Sequence, residues 1–268
     1  MTSRRKFIHH SSLALTALAL PVPLTAFAKY INMEDNKNFE VIIIGGSYAG
    51  LSSAMALGRS LRNVLIIDNG KPCNIQTPHS HNFLTQDGKT PSEISKVSKQ
   101  EVEKYETIKF YKGLATSGVK TENGFEVTTG TNDKFTAKKL IFATGIKDTM
   151  PDIKGFSECW GISIIHCPYC HGYEHRYQTT GIIANGQKAF HLASMVNNLT
   201  KSVKILTNGK AEFTTEQVEK MNKHDIKIRE TQISEIEHKD GILKNLIFKD
   251  GNKTSFDVAY GAIPFTQH

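Results

Sequence analysis

The chain of 268 residues is long enough for two domains of about 100–150 residues each. Its 39% hydrophobic and 22% charged residues are typical of a folded globular protein and argue against a disordered chain. The formal net charge is +7, but the lysines are scattered and no basic run alternates with aromatic residues, so we expect no nucleic-acid partner. Four cysteines with one close pair are too few for a secreted disulfide framework.

Residues 1–28 have the pattern of an export signal. Arg4, Arg5 and Lys6 precede an apolar run at residues 13–20, and the segment ends in Ala-Phe-Ala. This run is too short to serve as a stable membrane anchor. The arginine pair resembles a bacterial twin-arginine signal, with an ordinary secretory leader as the alternative. We therefore expect an exported, periplasmic protein, with a polar linker over residues 29–38.

A dinucleotide-binding unit is predicted to follow the linker. A β-branched run at residues 41–44 leads into a Gly-Gly-Ser-Tyr-Ala-Gly turn, a helical stretch at residues 51–61 and a second apolar run that ends in Asp68. Such a turn lets the backbone approach a pyrophosphate at a helix N-terminus, and the acid binds a ribose. Ser47 replaces the middle glycine of the usual pattern. A tight turn without a ligand is the alternative.

The next segments predict a helix and a meander of short strands. Residues 90–104 are charged and amphipathic, with Thr-Pro-Ser-Glu as the helix start. Alternating strand patterns follow at residues 108–111, 124–128 and 134–137, separated by glycine and asparagine turns. The meander ends in an apolar strand at residues 139–142 that runs into a turn of small residues, Ala143, Thr144 and Gly145.

Two cysteines lie two residues apart in the run His-Cys-Pro-Tyr-Cys-His-Gly-Tyr-Glu at residues 166–174. Cys167 and Cys170 can close a small disulfide ring or hold two thiols side by side, which makes a two-electron switch. Together with His166 and His171 they provide four candidate zinc ligands, although neighbours such as His166 and Cys167 cannot easily both reach one tetrahedral ion. Redox chemistry, a metal site and an inert pair are all open at this point.

A second strand–helix–strand unit begins at Thr180. It predicts a helix over residues 190–199 and a strand at residues 203–206, and of the glycine pattern only Gly186 remains. The second strand ends in Thr-Asn-Gly, without the arginines that hold the 2′-phosphate of NADPH. A helix at residues 214–224 and strands near 226–229, 233–238, 243–248 and 254–257 complete the prediction.

These motifs together resemble the two-dinucleotide-binding-domain flavoproteins, and among them the thioredoxin-reductase-like proteins. The cysteine run is similar to a branch that includes fungal dithiol oxidases of the gliotoxin type. The resemblance implies an α/β fold with two Rossmann-like three-layer domains. Residues 39–150 would form the FAD-binding domain and residues 151–262 an NAD(P)-binding-like domain that carries the cysteine pair. Residues 263–268 would begin the return to the FAD domain, whose usual C-terminal segment we expect to be lacking.

The resemblance also implies roles for single residues. FAD would lie on the first unit, with Asp68 at the adenosine ribose, and NAD(P)H binding is left open. Residues 74–88, which include His79, His81 and Asp87, would line the flavin or form only a polar loop. The cofactor-binding residues would be Gly45, Gly46, Ser47, Gly50, Asp68, Ala143, Thr144, Gly145 and Gly186.

The sequence thus predicts an exported FAD-dependent thiol–disulfide oxidoreductase. One sulfur of the pair would attack the substrate while Cys170, by analogy, faces the flavin, and His171 would move the proton where thioredoxin reductases proper have an acid. Cys73 and Cys159 are expected to be packed or incidental thiols. The expected partner is a small dithiol or disulfide or a thioredoxin-like protein, and relatives commonly dimerise. The alternatives are an NAD(P)H-linked reductase with reversed electron flow and a non-enzymatic zinc module.

Overall fold

The computed structural model describes residues 37–267. The predicted signal at residues 1–28 and nearly all of the linker therefore lie outside the described residues. None of the helices within residues 37–267 combines the length and the apolar character needed to cross a membrane.

The first half of the described chain forms one six-stranded sheet with two helices. The strands lie in the spatial order β3-β2-β1-β6-β5-β4, of which the first four are parallel and the last two antiparallel. The elements are β1 (Asn38–Ile44), α1 (Tyr48–Arg59), β2 (Val64–Asp68), α2 (Pro91–Val102), β3 (Ile108–Lys112), β4 (Ala115–Thr121), β5 (Gly124–Thr129) and β6 (Lys134–Phe142).

Local sequence signals account for most of these elements. The predicted start of α2 is confirmed, because the Thr90 hydroxyl accepts from the Glu93 N–H and the Glu93 carboxylate accepts from the Thr90 N–H. The predicted break between residues 134–137 and 139–142 is wrong. These two segments form the single strand β6, which pairs in parallel with β1 along its length.

The second half contains a five-stranded parallel sheet, a three-stranded antiparallel sheet and a two-stranded ribbon. Their orders are β11-β10-β9-β15-β8, β12-β13-β14 and β16-β7. The elements are β7 (Ile146–Asp148), α3 (Phe156–Cys159), β8 (Ile164–Ile165), α4 (Pro168–His171), β9 (Thr180–Ile183), α5 (Gly186–Val196), β10 (Val203–Leu206), α6 (Thr215–Lys223), β11 (Lys227–Arg229), β12 (Ile233–Lys239), β13 (Ile242–Phe248), β14 (Lys253–Ser255), β15 (Val258–Gly261) and β16 (Phe265–Gln267).

The cores follow the predicted apolar runs. Ile42 and Ile43 of β1 are fully buried on opposite faces of the first sheet, as expected for a strand covered on both sides. In the second sheet, β15 is buried along its whole length between β9 and β8. The fold class is α/β, as predicted, with one mixed sheet whose first four strands are parallel and one fully parallel sheet.

Candidate active site

Two turns meet at the carboxyl edge of the first sheet. The Gly45 N–H donates to the Ile67 carbonyl and the Ala143 N–H donates to the Ile44 carbonyl, each at 2.8 Å. Gly45 has a φ of +103°, and a Cβ atom built on it would lie 2.2 Å from the Ala143 carbonyl oxygen. Glycine is therefore required here because the turn after β1 touches the turn after β6.

Asp68, at the end of β2, is fixed beside the first turn. Its carboxylate accepts the N–H of Gly46 at 3.0 Å and the N–H of Gly70 at 3.1 Å. A Cβ atom on Gly46 would lie 2.9 Å from the Cβ of Asp68. The turn and the acid thus define each other's positions, which is the arrangement expected around a bound ribose.

The N-terminus of α1 is open to an anion. Ser47 occupies the N-cap position without a side-chain capping bond, and the first turn of the helix holds no acidic residue. The unpaired N–H groups and the helix dipole at such an end favour a phosphate. Gly50 is buried, and a Cβ atom there would lie 1.9 Å from the Gly45 carbonyl oxygen, so the helix packs directly on the turn.

These elements border a cleft of about 2240 Å³. A site of this size with an open helix N-terminus, an oriented acid and two glycine turns fits the pyrophosphate and ribose of FAD. The predicted residues that line it are Gly45, Gly46, Ser47, Asp68, Ala143, Thr144 and Gly145, with Tyr48, Cys73 and Gln76 beside them.

The cysteine pair lies at the one-turn helix α4, with Cys167 as its N-cap residue and Cys170 within it. The carbonyl of Cys167 accepts the N–H groups of Cys170 at 3.2 Å and His171 at 3.3 Å, and both cysteines are partly buried free thiols. Among the residues that the structure describes, neither cysteine lines the cleft. The link is the loop at residues 74–88, because Gln76 lines the cleft and His81 contacts the cysteine segment.

The two sulfurs differ in acidity. Burial raises the pKa of the Cys170 thiol to about 12, and the hydrogen bond and charge of Cys167 act in the same direction. Cys170 therefore keeps its proton near neutral pH. This difference suits Cys167 as the sulfur of the pair that exchanges with a substrate sulfur.

His171 is half-buried and surrounded by ionisable groups. Burial is the main cause that lowers its pKa below the ordinary 6.5, and the positive charges of His166, His81 and His175 lower it further. Glu174 opposes them and raises it. Near neutral pH the ring is therefore a neutral proton acceptor next to the thiols.

The cysteine segment rests on Tyr260, which sequence reasoning missed. Tyr260 lies in the middle of β15, and its pKa is raised to about 12 by burial, then by the charges of Cys167 and Glu174. A Cβ atom on Gly172 would lie 3.0 Å from the Tyr260 hydroxyl and 2.4 Å from Leu199. A tyrosine in an otherwise apolar buried strand was the only sequence signal for this contact.

The second strand–helix–strand unit does not fit a dinucleotide pyrophosphate. At the start of α5, the Asn185 side chain accepts the N–H of Gly186 at 2.8 Å and the N–H of Glu212 at 3.0 Å. A Cβ atom on Gly186 would lie 4.0 Å from a Glu212 carboxylate oxygen. A capping side chain and a negative charge thus stand where phosphates would bind. The N-terminus of α5 at Gly186 is therefore less accessible to a phosphate than the N-terminus of α1 at Ser47.

The zinc alternative also lacks support. Within residues 37–267, no group of three or more histidine, cysteine and acidic side chains is arranged to hold a metal ion. The histidines that flank the cysteines have other neighbours, since His166 packs 5.9 Å from the Trp160 ring and His171 meets His81 edge-on at 6.4 Å between ring centroids.

Comparison with known proteins agrees with this geometry. Residues 39–265 match the family model described as pyridine nucleotide-disulphide oxidoreductase. The chain is 32% identical over 223 residues to thioredoxin reductase aclD of Aspergillus oryzae, a match that covers 80% of this chain and 71% of that protein. It is 34% identical over 194 residues to thioredoxin reductase tcpT of Claviceps purpurea, covering 69% of this chain and 60% of the relative.

The fold has solved counterparts. The crystal structure of an oxidoreductase from Agrobacterium tumefaciens superposes with a TM-score of 0.79 at 36% identity, and the match covers 85% of this chain and 76% of that chain.

Proposed function

Because this chain belongs to the pyridine nucleotide-disulphide oxidoreductase family, we propose that it is an FAD-dependent enzyme that exchanges electrons between a thiol or disulfide substrate and the Cys167–Cys170 pair. The observation that carries the proposal is the contact between the loop bordering the nucleotide cleft and the cysteine segment, where His81 approaches Glu174 to 3.6 Å. This contact links the segment that carries the thiol pair to the loop that borders the nucleotide cleft.

The proposed chemistry is thiol–disulfide exchange. A substrate thiolate attacks the Cys167 sulfur of the oxidised pair, the bond between Cys167 and Cys170 breaks, and a mixed disulfide forms. The proton that the first substrate thiol gives up as it becomes a thiolate passes to the leaving Cys170 sulfur, whose raised pKa of about 12 favours the thiol form. A second substrate thiol then attacks the substrate sulfur of the mixed disulfide, and Cys167 leaves as a thiolate while His171 holds the second proton. Bound FAD would supply the acceptor for two electrons and one proton that returns the reduced Cys167–Cys170 pair to the disulfide.

We propose that electrons flow from a dithiol to the flavin. The support is the contrast between the open N-terminus of α1 and the N-terminus of α5, which Asn185 caps and Glu212 flanks. An NAD(P)H-linked reductase of a thioredoxin-like partner would use the same cysteines in the opposite direction. The expected substrate is a small dithiol, because the cysteines are only partly exposed.

Purified, flavin-loaded chain under anaerobic conditions tests this assignment. Dithiothreitol should bleach the flavin, whereas NADPH should leave it oxidised. Cys167→Ser and Cys170→Ser should keep the flavin and lose bleaching by the dithiol. Rapid bleaching by NADPH would establish the reductase direction instead. A folded product that takes up no flavin, or cysteine variants that bleach normally, would refute the proposed function.

We further propose that the protein is exported to the periplasm by the twin-arginine route and acts as a homodimer. Arg4 and Arg5 in the leader support the route, since this pathway carries proteins that have already taken up a cofactor. Changing both arginines to lysine should leave the protein in the cytoplasm of a bacterial host. An ordinary secretory leader would still export this variant. Sedimentation of the purified chain decides the oligomeric state.

A further inference from the structure

His81 lies at the contact between the loop at residues 74–88 and the cysteine segment. Its side chain is 21% exposed, and its Nδ1 atom lies 3.6 Å from an oxygen of Asp87 and 3.6 Å from an oxygen of Glu174. Asp87 belongs to the same loop, whereas Glu174 follows the cysteine pair. The His81 ring thus lies between a carboxylate of its own loop and a carboxylate of the cysteine segment.

The same ring faces His171. The two ring centroids are 6.4 Å apart and the planes meet edge-on at 86°. The other groups around this contact are His79, whose ring centroid is 6.4 Å from that of His81, and His166 and His175, whose charges act on His171. His79 is exposed, and its Nδ1 atom is within hydrogen-bonding distance of the Gly88 carbonyl oxygen. It therefore does not lie between His171 and a carboxylate as His81 does.

The proposed reaction leaves a proton on His171. Oxidation of a dithiol releases two electrons and two protons, and the reduction of FAD consumes both electrons but only one proton. The remaining proton has to leave His171 before the next turnover, and His171 is half-buried. On the other side of His81, the Asp87 side chain is 67% exposed and in contact with solvent.

We propose that His81 relays the proton from His171 to solvent at Asp87, while Glu174 holds the His81 ring across the contact between the loop and the cysteine segment. The inference rests on the proposed function. In this proposal His81 acts through His171. It is therefore a positioning and relay residue and not a catalytic one.

The first test follows the protonation of His171 and needs no turnover. Histidine side-chain NMR titrations of the full-length chain, with the His171 signal identified by its loss in His171→Gln, are compared between variants. His81→Gln removes a neighbouring positive charge and should raise the pKa of His171. Glu174→Gln removes a negative charge and should lower that pKa. His79→Gln is the matched control on the same loop and should leave it unchanged.

Shifts in opposite directions separate an electrostatic role from a structural one, because loosening of the contact would move both variants the same way. A His171 titration that is identical in all variants would overturn the relay. Should His81→Gln fail to fold, as judged by circular dichroism, the Glu174→Gln titration alone decides, and an unchanged midpoint refutes the proposal.

The second test measures the transfer itself. With dithiothreitol as the dithiol and dissolved oxygen as the electron acceptor, the turnover rate should fall about 10- to 100-fold in His81→Ala, because a proton-transfer step is lost. Added imidazole should restore part of this rate. His79→Ala should react like the unmodified chain. If the unmodified chain is not reduced by the dithiol, the proposed function fails. If that chain is reduced and His81→Ala is equally fast, only the relay fails.

Discussion

Cys170 donates its backbone N–H to the carbonyl of Cys167 at 3.2 Å, which holds both sulfurs on the same turn of α4. Burial raises the pKa of the Cys170 thiol to about 12, and the hydrogen bond and charge of the neighbouring Cys167 act in the same direction. Two residues of the same type thereby acquire different chemical roles.

The first prediction is that alkylation separates the two cysteines. At pH 8 a thiol with a pKa near 12 is ionised in only about one molecule in ten thousand, and the thiolate is the reactive form. Iodoacetamide should therefore modify Cys167 at least 100-fold faster than Cys170, as read by peptide mass spectrometry of the reduced chain.

The other two cysteines are internal references for this measurement. Cys73 is exposed and should react readily, whereas Cys159 is buried, with its pKa raised chiefly by burial, and should stay unmodified. Cys167→Ser should abolish the fast reaction within the pair. Equal rates at Cys167 and Cys170 would contradict the assignment of Cys167 as the sulfur that exchanges with the substrate.

The second prediction concerns the support of the cysteine segment. Gly172 has an ordinary helical φ of −70°, so only the lack of space requires glycine. In Gly172→Ala the new Cβ atom would lie 2.3 Å from the Pro168 carbonyl oxygen and 2.4 Å from Leu199. Overpacking of this kind costs about 1–3 kcal/mol of the free energy of unfolding.

Urea denaturation should show this loss in the free energy of unfolding. Thiol–disulfide exchange at the cysteine pair, measured separately with dithiothreitol, should also be slower. Gly118→Ala is the matched control, because a Cβ atom there has its nearest neighbour at 3.9 Å in an exposed strand. Equal free energies of unfolding for both variants would show that the segment yields to the added methyl group.

How much of this molecule the sequence predicts depends on how local the signal is. The first unit could be read directly, because the run from β1 to Asp68 is contiguous and each step has its own residue pattern. The strand predicted near residues 254–257 overlaps β14, whereas the strand β15, between β9 and β8, was missed. Four residues that include a tyrosine and a glycine do not make a recognisable strand pattern, although tertiary packing buries all of them.

Helix limits and contacts within the site were harder to predict, because they depend on residues that are not part of one contiguous pattern. The helix predicted at residues 190–199 is α5 and begins four residues earlier, because Asn185 caps it. The contact of His81 with Glu174 joins residues that are far apart in the chain, and no local pattern encodes it. The cysteine pair and His171 could be proposed since their chemistry lies in one short run.

The third prediction is a loss of stability in acid through His171. Its pKa is lower in the folded chain than the ordinary 6.5, chiefly because of burial, so the unfolded chain binds more protons in the window below pH 6.5. The free energy of unfolding should therefore rise with pH through this window and fall on acidification.

Thermal unfolding between pH 7 and pH 5 measures the effect. His171→Gln should show a smaller drop in melting temperature than the unmodified chain, while His191→Gln, at an exposed position of α5, should show the same drop. An unchanged drop in His171→Gln would mean that this histidine is not held neutral by the fold.

The fourth prediction tests the flavin site through Asp68. Asp68→Ala removes the acceptor of the Gly46 and Gly70 N–H groups as well as the expected ribose ligand. Hydrogen bonds to a charged group contribute about 1.5–3 kcal/mol, so FAD affinity should fall roughly 10- to 100-fold. Asp87→Ala is the control, because Asp87 is not among the residues that line the cleft in the described part of the chain. Fluorescence titration of the flavin-free chain with FAD gives both affinities, and equal values would remove Asp68 from the binding site.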